Sequence, residues 1–321
     1  MAHRVVALAL PGLVTFDLGC ALQIFGHSPT PEARPQLYDF TVCAPSGYRV
    51  ATSDGFTLTV PRDLEVLAGA DTVVVPGYHH AWDTPPPREA LHALHAAAEQ
   101  GARMLSICIG AFALGHAGLL DHRRATTHWA ATGLLAAHFP AATVVDDVLY
   151  VDDGDVLTSA GLASGLDLAL HLVRRDHGAA AAAELARWNV VAPHREGAQA
   201  QFISTAVPDT GESTLAATCR WALTHLERPL ELADLAAHAQ LSERSLLRHF
   251  RAEIGTSPRQ WLLRARLDRA RELLETTTLP IEDIARRAGF PTAAALRSRF
   301  TTTLGASPSA YRKSFNHRPD T

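Results

Sequence analysis

A cysteine in a predicted strand-to-helix turn is the residue of this sequence best suited to covalent chemistry. Cys108 stands in the segment Ser106-Ile107-Cys108-Ile109-Gly110-Ala111, directly after a buried-strand run. A small residue before it and a glycine after it permit a sharp turn that exposes the central side chain at the edge of a sheet. The dipole at the following helix N-terminus would lower the pKa of the thiol and favour the nucleophilic thiolate. Free cysteine is also among the most buried residue types, so a structural thiol is the alternative interpretation.

Two further residues could act with this thiol. Asp17 follows the first predicted strand, and His128 lies in Thr126-Thr127-His128-Trp129, far enough along the chain to return to the turn. The carboxyl group of Asp17 could donate a hydrogen bond to the thiol or accept one from it. A histidine can move a proton, although a single histidine is more often a core residue with satisfied hydrogen bonds.

The elements that must position these residues alternate between strands and helices. Strand-like runs occur at 4–10, 37–43, 72–75 and 104–107, and helical stretches at 17–25, 64–67, 88–100, 160–177 and 178–188. This alternation predicts an α/β domain with a mostly parallel, doubly wound sheet. Sites in such sheets form beyond the carboxyl ends of the strands. Asp17, the Pro76-Gly77-Tyr78 segment and Cys108 each follow a strand, so we expect them to converge at one edge of the sheet.

The carboxyl-terminal third contains one pattern written twice. Leu241–Trp261 aligns with Phe290–Tyr311, and the matching residues lie 50 positions apart. The matched pairs are Phe250 and Phe300, Gly255 and Gly305, Ser257 and Ser307, Pro258 and Pro308, and Trp261 and Tyr311. Each copy is typical of a short helix, a tight turn and a second helix, and such a repeat indicates the architecture before any local assignment.

The second helix of the first copy has two contrasting faces. Leu246, Phe250 and Ile254 recur every four residues and predict a buried stripe, while arginines lie opposite it. Arginine pairs bidentately with guanine and with phosphate, so this face suits a helix that reads the major groove. A solvated basic face on an ordinary bundle is the alternative for one copy alone, but two evenly spaced copies favour DNA binding.

The residues that we expect to contact DNA come from both copies. They are Ser242, Arg244, Ser245, Arg248, His249 and Arg251 in the first, and Thr292, Ala294, Ala295, Arg297, Ser298 and Arg299 in the second. Ser242 and Thr292 are also natural helix N-caps. The reading helix of the second copy presents mainly small side chains. We therefore expect the reading helix of the first copy to carry most of the sequence specificity and that of the second copy to anchor phosphates.

A predicted helix from Pro258 to Glu275 connects the two copies. It would be about 27 Å long, which can hold two reading helices in successive major-groove turns about 34 Å apart. The whole segment, about residues 213–316 with G-x-S-P-x-x-Y-R at Gly305–Arg312, resembles the AraC/XylS family of transcription regulators. The resemblance implies an all-α domain with two helix-turn-helix units that binds double-stranded DNA.

The amino-terminal part carries a second resemblance. Residues 4–200 resemble the PfpI/ThiJ superfamily, a glutamine-amidotransferase-like and flavodoxin-like fold, and specifically the GlxA-type arrangement in which that domain precedes an AraC module. Besides the cysteine turn, the resemblance rests on ALGHAGLLDHRRATTHWAATG at 113–133, LTSAG at 157–161, GLDLALHLVRRDHG at 165–178 and VVAPHREGAQAQF at 190–202.

This second resemblance implies a site and the roles of its residues. Cys108, His128 and Asp17 match the cysteine, histidine and acid of the superfamily, and Gly77 and Ile109 would supply backbone donors of the oxyanion-hole type. Tyr78 stands where enzymes of this type usually have a glycine. The implied ligand-binding residues are Asp17, Gly77, Tyr78, Cys108, Ile109 and His128. No cofactor follows from the pattern.

Charge and cysteine usage bound the remaining possibilities. Residues 213–321 carry 17 basic and 11 acidic side chains, whereas residues 1–212 carry 12 and 22, so the net charges of +6 and −10 sum to −4. A basic end beside an acidic end suggests a nucleic-acid module joined to another kind of domain. The four cysteines have no C-x-x-C spacing and fit the reducing cytoplasm, and the histidine pairs lack partners at metal-ligand spacing. We therefore expect no metal site, no membrane span and a cytoplasmic protein.

The patterns together predict a transcription regulator with four segments. These are a sensor and dimerisation domain at 1–192, a linker at 193–212, a DNA-binding domain at 213–316 and a tail at 317–321. A small-molecule effector, for which the resemblance suggests an amino-acid derivative, would bind near Asp17, Cys108 and His128 and alter the placement of the DNA modules in a homodimer. RNA polymerase is a further candidate partner. The alternatives are a cysteine-dependent amidase or hydratase tethered to DNA, and a first domain that serves only as a dimerisation scaffold.

Overall fold

The computed structural model forms two compact units, Met1–Gln201 and Phe202–Thr321. The structure describes residues 2–26, 36–45, 49–79, 81–197, 201, 214–254, 256–304 and 306–315. Within these ranges no helix is long and apolar enough to cross a membrane. Nor do three or more histidine, cysteine or acidic side chains in the described ranges cluster as metal ligands would.

The first unit is built on a six-stranded sheet. Its strands are β1 (His3–Leu8), β2 (Tyr38–Cys43), β5 (Thr72–Val75), β6 (Arg103–Ile107), β9 (Tyr150–Asp153) and β10 (Val156–Ser159), in the order β2-β1-β5-β6-β10-β9. All neighbours are parallel except β9, which runs antiparallel to β10. The short pairs β3 (Arg49–Ala51) with β4 (Thr57–Thr59) and β7 (Arg124–Ala125) with β8 (Thr143–Val144) lie outside this sheet. The sheet is mostly parallel, as predicted.

Helices cover both faces of the sheet because successive strand side chains point to opposite sides. The helices are α1 (Thr15–Phe25), α2 (Arg88–Glu99), α3 (Ala111–His116), α4 (Thr132–His138) and α5 (Ala163–Trp188), and three-residue or longer 3₁₀ turns lie at Leu64–Gly69, Cys108–Gly110 and Trp129–Ala131. In β1, Val6 and Leu8 enter a core cluster with α2 and α3, whereas Val5 and Ala7 enter a second cluster with α1 and α5. The predicted doubly wound α/β architecture is thereby confirmed.

Short elements account for most differences between prediction and structure in this unit. The strands β3, β4, β7 and β8 have only two or three residues, too few to show an alternating pattern in the sequence. The two helices predicted to meet at position 178 are present: the helical segment α5 is interrupted at Gly178, whose φ of 87° and ψ of 170° are not helical. Glycine adopts this backbone conformation without steric cost.

The amino-terminal part of the predicted linker packs on the first unit. The Arg195 guanidinium forms an ion pair with Asp167 of α5, whose side chain is only 7% exposed. The Gly197 carbonyl accepts a hydrogen bond from Leu149 N–H at 2.8 Å, and the Gln201 side chain donates to the Val148 carbonyl at 3.0 Å. The linker predicted to begin at 193 therefore begins later, because these polar contacts tie the chain to the unit; its residues 198–200 and 202–212 lie outside the described part.

The second unit consists of helices that pack into two clusters. The helices are α6 (Thr214–Leu223), α7 (Leu232–His238), α8 (Glu243–Glu253), α9 (Pro258–Thr276), α10 (Ile281–Arg287), α11 (Ala293–Leu304) and α12 (Pro308–Phe315). The amino-terminal half of α9 packs with α6, α7 and α8, and its carboxyl-terminal half packs with α10 and α11. The predicted connector is thus a helix, and its apolar residues serve both cores.

The repeat extends to the packing of aromatic rings. Phe250 meets Trp261 edge-on at 5.9 Å between ring centroids, and Phe300 meets Tyr311 in the same way at 5.3 Å. Gly289, directly after the C-cap of α10, has a φ of 77°, and Pro280 is the N-cap of this helix. The repeated glycines Gly255 and Gly305 lie outside the described residues.

The ion pair of Arg195 provides a test of where the first unit ends. The substitution Arg195→Met should lower the free energy of unfolding of this unit by about 2 kcal/mol or more, because it leaves the buried Asp167 carboxylate unpaired. Hydrogen exchange of the β9 and α5 peptides during urea unfolding measures this unit separately.

The matched control is Arg175→Met. Arg175 also pairs with an aspartate, Asp152, but this pair is more exposed. Its loss should cost less than about 1 kcal/mol. Equal effects of the two substitutions would contradict a structural role for segment 193–201.

Candidate functional site

A buried carboxylate joins the segments that the sequence predicted to converge. Asp17, in the first turn of α1, has no exposed surface. Its Oδ2 accepts a hydrogen bond from Gly77 N–H at 3.1 Å, and its Oδ1 accepts one from Leu162 N–H at 3.0 Å. The Cys108 side chain lies beside the same carboxylate, which raises the pKa of the thiol. The ends of β1, β5, β6 and β10 therefore meet at one charged group.

The backbone around Cys108 explains why glycines surround it. Cys108 has a φ of 57°, an uncommon conformation for a residue with a side chain, and is 8% exposed. A Cβ atom at Gly161 would overlap with the Cys108 side chain, and one at Gly110 would overlap with the Val75 carbonyl oxygen. The sharp turn predicted from the sequence is present, and it requires close backbone approach at positions 110 and 161.

Electrostatics at this site oppose the predicted thiolate. Burial raises the pKa of Asp17 to about 6, although the amide donors of Leu162 and Gly77 oppose the shift. Burial, followed by the nearby Asp17 carboxylate, raises the pKa of the Cys108 thiol to about 12, against which the Ile109 N–H acts only weakly. The expectation that the helix N-terminus would lower this pKa is therefore wrong, because desolvation and a neighbouring negative charge outweigh the dipole.

One of the two predicted oxyanion donors is engaged by the buried carboxylate. The Gly77 N–H donates to Asp17, whereas the Ile109 N–H acts to lower the pKa of the Cys108 thiol. The Gly77 amide is thus occupied in this structure. The Leu162 amide, which the sequence did not single out, holds the other Asp17 oxygen. The quoted LTSAG segment ends one residue before it and marks its place after β10.

The structure places the other two predicted ligand residues differently. His128 caps the 3₁₀ turn at Trp129–Ala131 by accepting from Ala130 N–H at 3.4 Å, and burial lowers its pKa. Among the described residues no hydrogen bond joins His128 to Cys108, although its neighbour Thr127 donates to the Cys108 carbonyl at 2.8 Å. The Tyr78 ring packs in the core cluster of α2 and α3, whereas Cys108 belongs to the cluster on the other face.

The predicted DNA-reading helix α8 exposes arginines that no described residue engages. Ser242 caps the helix by accepting from Ser245 N–H at 3.2 Å, and Leu246 and Phe250 are fully buried. Arg244, Arg248 and Arg251 are exposed, and none forms an ion pair or a hydrogen bond with another described residue. His249 lies beside Glu253 at 3.3 Å. The face opposite the core is therefore an uncompensated cationic surface.

The corresponding helix α11 is less cationic. Thr292 caps it by accepting from Ala295 N–H at 3.0 Å, and the side chain of Ala295 is half-buried against the core. Arg297 is paired with Glu282 at 2.9 Å, while Arg299, Ala294 and Ser298 are exposed. Pairing and burial leave fewer groups here to read bases, which agrees with the expected division of roles between the two helices.

Comparison with known proteins identifies both units. Residues 27–175 match the DJ-1/PfpI family model, and residues 235–314 match a helix-turn-helix domain model. The HTH-type transcriptional regulator GbdR of Pseudomonas aeruginosa is 30% identical over 256 residues, which cover 79% of this chain and 69% of GbdR. The HTH-type transcriptional regulator GlxA of Rhizobium meliloti is 31% identical over 279 residues, 86% of each chain.

Two further similarities cover a smaller share of this chain. Isonitrile hydratase of Pseudomonas putida is 32% identical over 238 residues, which cover 74% of this chain and 97% of the enzyme. A crystal structure of an AraC family transcriptional regulator from Pseudomonas putida shares the fold, with a TM-score of 0.51 and 24% identity over 58% of this chain and 98% of that one.

A DJ-1/PfpI-like α/β unit followed by a double helix-turn-helix unit defines a DNA-binding transcription regulator of the AraC type. Within that class, the chain belongs to the family of HTH-type transcriptional regulators that includes GlxA and GbdR.

The raised pKa of Asp17 makes the stability of the first unit depend on pH. The ordinary pKa of an aspartate is 3.8, and the pKa of Asp17 in the folded protein is about 6. The native state therefore binds this proton more tightly than the unfolded state does. The wild-type protein loses stability as the pH rises from about 4 through 6 and beyond. Asp17→Asn removes this dependence. The free energy of unfolding of the variant minus that of wild type should therefore rise by about 2 kcal/mol between pH 4.5 and 7.5.

The difference between the two proteins, measured by urea unfolding at each pH, separates this effect from other groups. The amide cannot accept hydrogen bonds at both of its side-chain positions, which adds a constant cost at every pH. A difference that stays constant between pH 4.5 and 7.5 would contradict the buried, partly proton-linked carboxylate.

Proposed function

We propose that the protein is an effector-controlled regulator that reads its operator mainly through α8 and senses a small metabolite near Asp17 and Cys108. The observation that carries the first part is the exposed cationic face of α8, where Arg244 and Arg248 lack partners among the described residues. A guanidinium that is paired with a carboxylate must break that ion pair before it binds DNA, which costs free energy. Unpaired arginines on a capped, packed helix avoid this cost.

Arginine substitutions test the reading helix. Arg244→Ala and Arg248→Ala should each weaken binding to a selected operator by about 5- to 150-fold and relax the base preference at one position, because each would remove a bidentate contact to a base. Fluorescence anisotropy with operator and scrambled duplexes at fixed salt measures both effects.

The matched control is Arg269→Ala, which removes an exposed arginine of α9 that is paired with Glu272. It should leave operator affinity nearly unchanged. Arg299→Ala should instead lower affinity for all sequences and reduce the salt dependence by about one phosphate contact. An isotherm that neither Arg244→Ala nor Arg248→Ala alters would sink the assignment of α8.

The effector would occupy the sheet edge beside the Asp17 carboxylate. Support comes from the convergence of four strand ends there and from the family resemblance, which suggests an amino-acid derivative. Effector binding would change the relative placement of the DNA modules in a homodimer, so DNase footprinting should protect paired half-sites. Thermal-shift screening with amino-acid derivatives tests the sensor. A screen without any response favours the alternative in which the unit is only a dimerisation scaffold.

Contacts with RNA polymerase and a cytoplasmic location follow from the same proposal, because a regulator of this kind acts on the transcribing genome. Transcription from the operator in vitro, with polymerase and promoter DNA, distinguishes activation from repression.

A cysteine-dependent hydratase activity is the second candidate, because the isonitrile hydratase of Pseudomonas putida is similar to this chain over 97% of the enzyme's length. The raised pKa of Cys108 weighs against it, since the nucleophile of such chemistry is the thiolate. Any activity at Cys108 would then be residual.

The reactivity of Cys108 discriminates between sensor and enzyme. At pH 7 its alkylation by iodoacetamide should be at least 100-fold slower than that of a free thiol with a pKa of about 8.5, because almost none of it is thiolate. Mass spectrometry of the Cys108 peptide, with unfolded protein as the reference for full labelling, gives the rate. A labelling rate that titrates with a midpoint below pH 8 would support the enzyme.

A further inference from the structure

An exposed leucine lies on the cationic face of the reading helix. Leu247 in α8 is 43% exposed, whereas its neighbour Leu246 and the next stripe residue, Phe250, are fully buried. The core cluster around α8 contains Leu246, Phe250 and Ile254 but not Leu247. Position 247 therefore lies outside the buried core of this helical cluster.

The neighbours of Leu247 on the helix surface include two unpaired arginines. Residues three and four positions apart lie side by side on a helix, so Leu247 adjoins Glu243 and Arg244 on one side and Arg251 on the other. Both arginines are exposed and free of ion pairs within the described part of the chain. Leu247 thus belongs to the surface that the DNA must cover.

A second observation gives the direction in which Leu247 points. Leu247 of α8 and Ala295 of α11 line the same apolar cavity of about 700 Å³, whose wall includes Leu262 and Leu263 of α9. Leu247 is therefore on the side of its helix that faces the other reading helix, and the cavity opens between the two.

Exposure alone does not mark a functional leucine, since single apolar side chains are common on protein surfaces. Leu134 of α4 is 40% exposed, for example. The difference lies in what surrounds Leu247. Among arginines that donate to base edges and phosphates, a leucine has no hydrogen bond to offer. The apolar group in the major groove that it can contact is the C5 methyl of thymine.

We propose that Leu247 is a specificity determinant that reads the C5 methyl of a thymine beside the bases contacted by Arg244 and Arg248. The inference rests on the proposed role of α8 in DNA reading. Residues 244 and 247 are about 4.5 Å apart along the helix axis, and stacked bases are about 3.4 Å apart, so the thymine lies one or two base pairs from the base that Arg244 reads.

Deoxyuridine substitution tests the contact, because it removes only the methyl group. The full chain first selects an operator from random duplex DNA, and each thymine of the half-site is then replaced in turn. Wild type should lose about fourfold in affinity at one position, as expected for loss of one buried methyl. Leu247→Ala should bind the unmodified operator about fourfold or more weakly and be indifferent to deoxyuridine at that same position.

Two further variants complete the design. Leu134→Ala, a leucine of similar exposure in the first unit, should behave as wild type throughout. Leu247→Met keeps an apolar side chain of similar length, so it should keep the sensitivity to deoxyuridine. This variant shows whether the effect of Leu247→Ala comes from the lost contact or from misfolding. If Leu247→Ala keeps the deoxyuridine effect, or if wild type shows none, Leu247 does not read a methyl while DNA binding through the arginines stands. If no DNA is selected at all, the proposed function falls with it.

Discussion

The buried carboxylate of Asp17 is the interaction on which the first unit depends. It accepts hydrogen bonds from backbone amides after β5 and β10, it lies beside the thiol after β6, and it stands itself after β1. A carboxylate in a site without exposed surface is stable only when such donors surround it. The same requirement forces Gly77 and Gly161 to approach closely, since a side chain at either position would meet Asp17 or Cys108. One charged group thereby fixes four loops.

That arrangement sets a limit on chemistry. The Asp17 carboxylate beside Cys108 also keeps the thiol protonated, because a negative charge next to a buried thiol raises the pKa of that thiol. The Gly77 N–H, which would otherwise stabilise an oxyanion, donates its hydrogen bond to Asp17. With the pKa of its thiol raised, this edge suits the proposed recognition of a ligand better than turnover. The similar proteins include HTH-type transcriptional regulators as well as an isonitrile hydratase.

The second unit separates stability from recognition in a different way. The apolar sides of α8 and α11 are buried against α9, and the opposite side of α8 carries charge that nothing within the described chain neutralises. In α11 an ion pair and a half-buried alanine reduce that surface. Two copies of one packing unit thus present unequal faces, because the core constrains only the positions that it buries. The outward positions remain available for sequence-specific contacts, among them the proposed methyl contact of Leu247.

The sequence by itself determined what repeats and patterns can report: the alternating strands and helices, the duplicated unit with its caps at Ser242 and Thr292, and the convergence of Asp17, Gly77 and Cys108 after successive strands. These follow from local periodicity and from the rule that parallel strands end at one edge. The tertiary structure decided the rest: the partner of each amide, the raised pKa of Cys108, the attachment of Arg195 to Asp167 and the separation of Tyr78 from the thiol. Those depend on burial and on contacts between residues up to 145 positions apart, such as Asp17 and Leu162. No pattern in the chain encodes how far a group is removed from water, and that removal fixed the chemistry of the site.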